Sequence, residues 1–205
     1  ACAPFRRVHL CHHNLETIET TSTTSTDTLL AEVCYAAKEE GASISGRYPK
    51  YQTTYGDTGY TMCTMLARSF ADIGDIIRGK DLYEGYDEKE KKRRQQLENK
   101  LKKIFEKIHE DVMKTSGRRN RQTLKARYDG DTTNYYQLRE DWWYANRIMV
   151  WIAMTCGAGE SDKYFRKACS GGTTPTNKKC RCTTHDVPTY FDYVPQYLRW
   201  FEEWA

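Results

Sequence analysis

The sequence predicts an all-α protein, a disulfide-braced bundle of helices joined by long loops, and three observations lead to this prediction. Apolar residues recur at helical spacing in several segments of the chain. No segment shows the strict apolar–polar alternation of a half-buried strand. Eight cysteines are scattered along 205 residues without the spacing of a structural zinc site. Because scattered, even-numbered cysteines favour disulfides, we expect covalent braces and an oxidising compartment.

Two helices are predicted in the first part of the chain. The first covers 29–41, where Leu29, Leu30 and Val33 recur at helical spacing and Gly41 is expected to end the run. Residues 42–58 are rich in Gly, Ser, Pro and Tyr, which predicts a loop. The second helix is predicted over 60–77, before a stop at Gly79.

Three more helices are predicted after a turn at 80–86. A long helix over 88–114 has Lys, Arg and Glu covering an apolar stripe, and residues 116–134 are predicted to be a basic polar linker. A fourth helix over 136–157 carries Trp142, Trp143 and Trp151. These could form a ligand platform, but inside so apolar a helix we expect them in the core. Residues 157–190 are a cysteine-bearing loop region, and Pro195 suits the first turn of a last helix.

Several observations indicate a piece of a longer exported protein. Disulfides are expected, yet the chain starts without a signal peptide and has no run of ~18 apolar residues for a membrane span. The last residues resemble an amphipathic helix that would continue. We therefore expect any membrane anchor to lie outside this chain.

Enzymatic chemistry is not expected, and neither is a cofactor. The chain lacks the metalloprotease, nucleophile-elbow and phosphate-loop motifs. The one local cluster that resembles a metal or Cys–His site is His9, His12 and His13 beside Cys11. A metal ion bound by these histidines would support an enzymatic function.

Basic clusters are the candidate binding residues. The formal net charge of +4, from 32 basic and 28 acidic residues, is too balanced to indicate nucleic acid. For Lys92, Arg93 and Arg94 the favoured interpretation is a solvated helix face. For the cations of the linker, binding of a sulfated glycan is a second hypothesis, because arginine forms forked hydrogen bonds with sulfate and carboxylate. The linker candidates are Arg118, Arg119, Arg121, Lys125 and Arg127.

Three sequence blocks resemble those of a known family. They are residues 72–83 (DIGDIIRGKDLY), 139–143 (REDWW) and 194–205 (VPQYLRWFEEWA), and CAPFRR at 2–7 and AAKEEG at 36–41 also fit. In this order they resemble Duffy-binding-like alpha domains of the variant erythrocyte membrane adhesins of Plasmodium falciparum. The match covers essentially the whole chain.

The resemblance implies a partial Duffy-binding-like fold. Residues 1–28 would be the end of the first subdomain and a connecting loop, and residues 29–205 would be a truncated second, helical subdomain. The third subdomain would be absent. It also implies that Cys34 pairs with Cys156, that Cys63 pairs with Cys180 or Cys182, and that Cys169 takes the remaining one.

The function implied by the resemblance is host-cell adhesion on the extracellular side of the infected erythrocyte, including rosetting and antigenic variation. The partners implied are a red-cell or endothelial receptor such as complement receptor one, heparan sulfate or blood-group glycans, and host antibodies. The alternative is a variable scaffold and antigen whose neighbouring domain carries the receptor site.

Overall fold

The computed structural model describes residues 2–11, 13–18, 26–56, 61–115 and 118–204; the side chains of residues 13, 55, 115 and 118–122 are outside this description. Helices dominate it, and among the described residues the only strand-like pairing is a single bridge between Cys169 and Thr174. A short 3₁₀ turn, Phe191–Tyr193, precedes the last helix. The helices are α1 (Phe5–Val8), α2 (His13–Thr17), α3 (Thr26–Tyr55), α4 (Met62–Arg78), α5 (Glu88–Thr115), α6 (Arg118–Tyr128), α7 (Tyr136–Met154) and α8 (Gln196–Trp204).

Helices α3, α4 and α7 form the centre of the bundle, and α7 packs against both of the others. The predicted core tryptophans are buried, which confirms that interpretation. The ring of Phe70 on α4 lies 5.1 Å from Trp143 and 5.2 Å from Trp151, measured between centroids. Aromatic pairs at this spacing add to the burial of their surface.

Helix α3 is longer than predicted, because residues 42–55 continue it instead of forming a loop. Gly41 lies inside the helix and not at its end. A Cβ atom there would clash with the backbone carbonyl of Met154, so the glycine allows α3 and α7 to approach closely. The sequence pattern could not distinguish this role from a helix stop.

The predicted basic linker is also partly helical, since α6 occupies most of its first half. Leu124 is half-buried and Tyr128 is buried. Residues four apart lie on one helix face, so this pair supplies the narrow apolar stripe that α6 packs against its neighbours α5 and α7.

Two disulfides brace the loop region after α7. Cys63 on α4 is bonded to Cys180, and Cys169 is bonded to Cys182. These bonds agree with two of the implied pairings and decide between the alternatives for Cys63. They tie the 157–190 segment to α4 and close a small loop within it.

The implied bond between Cys34 and Cys156 is not formed in the structure, where both cysteines are free. Residues on either side of Cys156, Met154 and Gly157, contact Gly41 and Ala42 on α3. Those contacts lie about two helical turns, or about 11 Å, beyond Cys34. A disulfide requires Cα atoms within about 7 Å, so this packing register separates the two cysteines.

Candidate functional site

Beneath the surface of the bundle lies a network of buried ion pairs, which we call the buried network. Its members come from α1, α4, α7, α8 and the turn before α8. Charged groups removed from water are stable only when paired and hydrogen-bonded. The network consists of Arg6, Asp72, Asp75, Arg78, Arg139, Glu140, Trp143, Arg147, Asp192, Gln196, Arg199 and Glu203, with Glu98 of α5 as the carboxylate partner of Arg139.

Asp72 is at the centre of the network and pairs with arginine side chains from both ends of the chain. Its carboxylate lies 2.7 Å from Arg199 Nη2 and 2.7 Å from Arg6 Nη1, and Gln196 Nε2 donates to it over 3.1 Å. Burial alone would raise the pKa of Asp72, but the charges of Arg6 and Arg199 hold it below its ordinary value. Asp75, one helical turn later, accepts from Arg199 and from Arg78.

Arg139 joins α7 to the carboxyl end of α4. Its guanidinium donates to the carbonyl oxygens of Ile77 (2.6 Å) and Ile76 (3.0 Å) and forms a forked pair with Glu98 at 2.7 and 3.0 Å. The last carbonyls of a helix lack partners within the helix, so this side chain satisfies them. Gly79 ends α4 in the left-handed region at φ 70°, and a Cβ there would lie 2.8 Å from Arg139 Nη1.

A second centre of the network surrounds Asp192 in the 3₁₀ turn. Its carboxylate accepts from Trp143 Nε1 at 2.8 Å and from Arg147 at 2.7 and 2.9 Å. Gly74 of α4 allows the indole of Trp143 to lie close, because a Cβ at Gly74 would be 2.8 Å from the ring. The tryptophan is therefore fixed by packing on one side and by a charged acceptor on the other.

The three sequence blocks converge on this network. The first supplies Asp72, Asp75 and Arg78, the second Arg139, Glu140 and Trp143, and the third Gln196, Arg199 and Glu203. In the sequence the blocks indicate only a family resemblance, and this role is not apparent from them. The available signal was the placing of aspartates and an arginine within the apolar helix α4. The charged side chains of the blocks hold the framework together and are engaged inside the fold.

The predicted cations on α5 differ from one another. Arg93 is exposed but pairs with Glu16 at 2.6 Å and Glu90 at 3.3 Å. Arg94 is half-buried and pairs with Glu90 at 2.7 Å. Lys92 is exposed and forms no salt bridge with any residue that the structure describes.

The predicted cations of the basic segment lie on α6, and they also differ in whether a carboxylate pairs with them. Arg127 donates to both carboxylate oxygens of Asp141 at 2.5 Å. Lys125 is exposed, without an ion pair to the described part of the chain. The helix includes Arg118, Arg119 and Arg121, but their side chains lie outside the described residues.

The histidine cluster stays a prediction. His9 is exposed, whereas His12 and the side chain of His13 lie outside the described residues. Within the described part of the chain, no group of three or more His, Cys, Asp and Glu side chains could hold a metal ion. None of the helices in that part is both long and apolar enough to cross a membrane.

Comparison with known proteins matches the chain to the Duffy binding domain family over residues 1–199. The structure is similar to the N-terminal DBL1-alpha and CIDR-gamma double domain of PfEMP1 from the Plasmodium falciparum varO strain, with 40% identity and a TM-score of 0.75. The match covers 100% of this chain and 27% of the double-domain chain. A PfEMP1 DBLbeta domain solved bound to ICAM-1 has 34% identity and a TM-score of 0.67, covering 100% of this chain and 44% of that one.

A more distant relative is the Duffy receptor gamma form of Plasmodium knowlesi, which is 23% identical over 209 residues. The match covers 100% of this chain and 15% of the receptor, so the chain spans a small part of that relative. These relatives are adhesion domains and not enzymes. The all-α architecture, its disulfides and the family match agree, and the chain belongs to the Duffy binding domain family.

Proposed function

We propose that this chain is part of a host-cell adhesion module of a parasite surface antigen. The module would act on the extracellular side of the infected erythrocyte and would contribute to cytoadherence or rosetting. The observation that carries the proposal is the match of the entire helical framework to PfEMP1 domains, one of them solved bound to ICAM-1. The partner would be a red-cell or endothelial receptor, and host antibodies would recognise the same exposed surface.

A finer proposal concerns the α5–α6 basic residues, by which we mean Lys92 near the start of α5, and Lys125 with the arginines at 118, 119 and 121 on α6. They would bind a sulfated glycosaminoglycan or a blood-group glycan. Support comes from the two exposed lysines, whose charge no described carboxylate neutralises. Arg93, Arg94 and Arg127 are less suitable, because carboxylates already occupy their guanidinium groups.

Heparin chromatography of the oxidised chain in a salt gradient tests the α5–α6 basic residues. We expect Lys92→Glu combined with Lys125→Glu, and separately Arg118→Gln with Arg119→Gln and Arg121→Gln, to elute at lower salt, because salt screens exposed charges. The matched control is Lys178→Glu with Lys179→Glu, since Glu160 already pairs with both lysines, at 3.1 and 3.8 Å. Elution of all variants at the salt concentration of the native chain would contradict the glycan proposal.

A second candidate function is a variable scaffold and antigen whose neighbouring domain binds the receptor. It is favoured by one observation: of the five candidate cations with described side chains, Arg93, Arg94 and Arg127 are engaged in ion pairs. Absence of both heparin retention and red-cell binding by the oxidised chain would support this second function over the first.

A further inference from the structure

A groove of about 600 Å³ lies between α4 and the two loop stretches that the disulfides hold against it. Ala67 and Arg68 of α4 line its floor. One wall is the stretch 164–168 and the other is the stretch 186–191. The basic residues singled out from the sequence on α5 and α6 do not line this groove.

Two large aromatic side chains stand exposed at the groove. Phe165 is 58% exposed and Tyr190 is 70% exposed. Both are held by neighbours, because the guanidinium carbon of Arg166 lies 5.3 Å from the Phe165 ring centroid and that of buried Arg147 lies 5.2 Å from the Tyr190 ring centroid. Exposed aromatics in fixed positions are typical anchors of protein interfaces.

The free charge at the groove is positive. Arg166 and Lys167 are exposed, and neither forms a salt bridge within the described residues. Of the carboxylates that line the groove, Glu202 pairs with Arg68 at 3.3 Å, whereas Asp186 accepts from the Ser170 amide at 2.8 Å and keeps its charge, so two positive charges face one negative charge. A complementary ligand therefore carries negative charge.

The buried hydroxyl groups at the groove, those of Tyr164 and Thr189, are bonded to each other, which leaves the exposed Tyr190 and few other polar partners for a ligand. Tyr164 Oη donates to Thr189 Oγ1 at 3.2 Å, and that oxygen also accepts from the Phe191 amide at 3.0 Å. A sugar needs several polar partners for its hydroxyl groups, because unpaired polar groups are costly to bury. Apolar faces beside two cations fit a peptide with carboxylates next to aromatic or aliphatic side chains.

We propose that this groove binds an acidic peptide segment. An apolar side chain of the peptide lies between Phe165 and Tyr190, and its carboxylates contact Arg166 and Lys167. The bond from Cys63 to Cys180 and the bond from Cys169 to Cys182 fix the loops before binding, which lowers the ordering cost. The inference rests on the proposed adhesive function only in that the segment would belong to a host receptor.

The test is an array of immobilised peptides in which Glu and Asp alternate with Leu, Phe and Tyr. Each peptide has a twin whose acids are replaced by Gln and Asn. The oxidised chain is expected to bind acidic peptides about tenfold or more tightly than their twins. Arg166→Glu with Lys167→Glu, and Tyr190→Ala, should each weaken binding by about tenfold or more.

The matched control is Lys92→Glu with Lys125→Glu, which changes the net charge equally and should leave peptide binding intact. All of these side chains are exposed, so an unchanged thermal midpoint will show that the variants fold. No binding to any acidic peptide, or binding unchanged by the groove variants, would overturn the assignment. Heparin or red-cell binding that persists in that case would leave the adhesive function standing.

Discussion

Arginine occurs in two settings in this molecule, in the buried network and on the exposed surface. Arg199 and Arg139 are fully buried, and each is held by carboxylates and by backbone carbonyls. Arg166 lies on an exposed loop, stacked on Phe165. The same side chain supports the fold in one setting and leaves its charge exposed to solvent in the other. Burial and available partners therefore locate a binding surface better than a count of basic residues does.

The comparison also explains what the three blocks can and cannot indicate. Their charged residues bring α4, α7 and α8 together in the interior. A relative with the same blocks shares this framework, and the framework leaves the receptor unspecified. Under the proposed function, specificity comes from exposed positions such as Lys92, Lys125 and the groove.

Removing the central carboxylate of the buried network should have the largest effect on stability. Asp72→Ala leaves Arg6 and Arg199 buried with less compensating charge, and we expect a loss of about 3–5 kcal/mol in the free energy of unfolding. Urea denaturation of the oxidised chain measures this loss. Lys92→Glu is the surface control and should change stability by no more than about 0.5 kcal/mol. Equal effects of the two changes would contradict the distinction between the settings.

Removing the disulfide between Cys169 and Cys182, beside the groove, should have the next largest effect on stability. Cys169→Ser with Cys182→Ser opens a loop with a sequence separation of 13, and the chain-entropy relation gives a loss of about 3 kcal/mol. Peptide binding at the groove should weaken with it, while heparin retention should stay. Denaturation and the two binding assays measure these outcomes, and loss of heparin retention without unfolding would argue against separate surfaces.

Adding a methyl group under the Trp143 indole should cost less. Gly74→Ala places a Cβ 2.8 Å from a ring that Asp192 holds in position, so the expected loss is about 1–3 kcal/mol. Gly46→Ala on α3 is the matched control, because a Cβ there has no neighbour within 4 Å. That variant should be slightly more stable, by about 0.5–1 kcal/mol. In thermal unfolding, the midpoint of Gly74→Ala should be lower than that of the native chain and the midpoint of Gly46→Ala should be higher.

The smallest effect is expected at the half-exposed pair of Arg127 and Asp141. The hydrogen bond from Arg127 lowers the pKa of Asp141 below its ordinary 3.8. A depressed folded-state pKa means that the pair stabilises the fold above about pH 4, and that this contribution is lost as the pH falls further. Asp141→Asn should cost less than about 1 kcal/mol at pH 7. Its stability should fall less steeply than that of the native chain below pH 4 in an acid titration followed by circular dichroism.

Much of the helical framework was predictable from the sequence, because α4, α5 and α7 carry long apolar stripes with clear ends. The extension of α3 was not, since the role of Gly41 depends on Met154 of another helix. Residues 118–128 are basic and polar, which favours a linker, and the apolar stripe of α6 consists of little more than Leu124 and Tyr128.

The candidate sites were less predictable than the fold. Basic residues are visible in a sequence, but their partners are not: Glu16 and Arg93 are far apart along the chain and become neighbours only when α2 packs on α5. The groove was missed because its walls come from α4 and from loops that two disulfides position. No local pattern connects Phe165 with Tyr190.

Red-cell binding by one multiple variant tests most directly whether framework and recognition are separate. The variant reverses Lys92, Lys125, Arg166 and Lys167 to Glu and changes the arginines at 118, 119 and 121 to Gln. Flow cytometry with the oxidised chain measures binding, and thermal unfolding measures stability. We expect the native chain to bind, and the variant to lose binding while its thermal midpoint stays within about 2 °C of native, because Lys92, Lys125, Arg166 and Lys167 are exposed and changes at exposed positions cost little. Undiminished binding by this variant, or a collapse of its stability, would contradict the account.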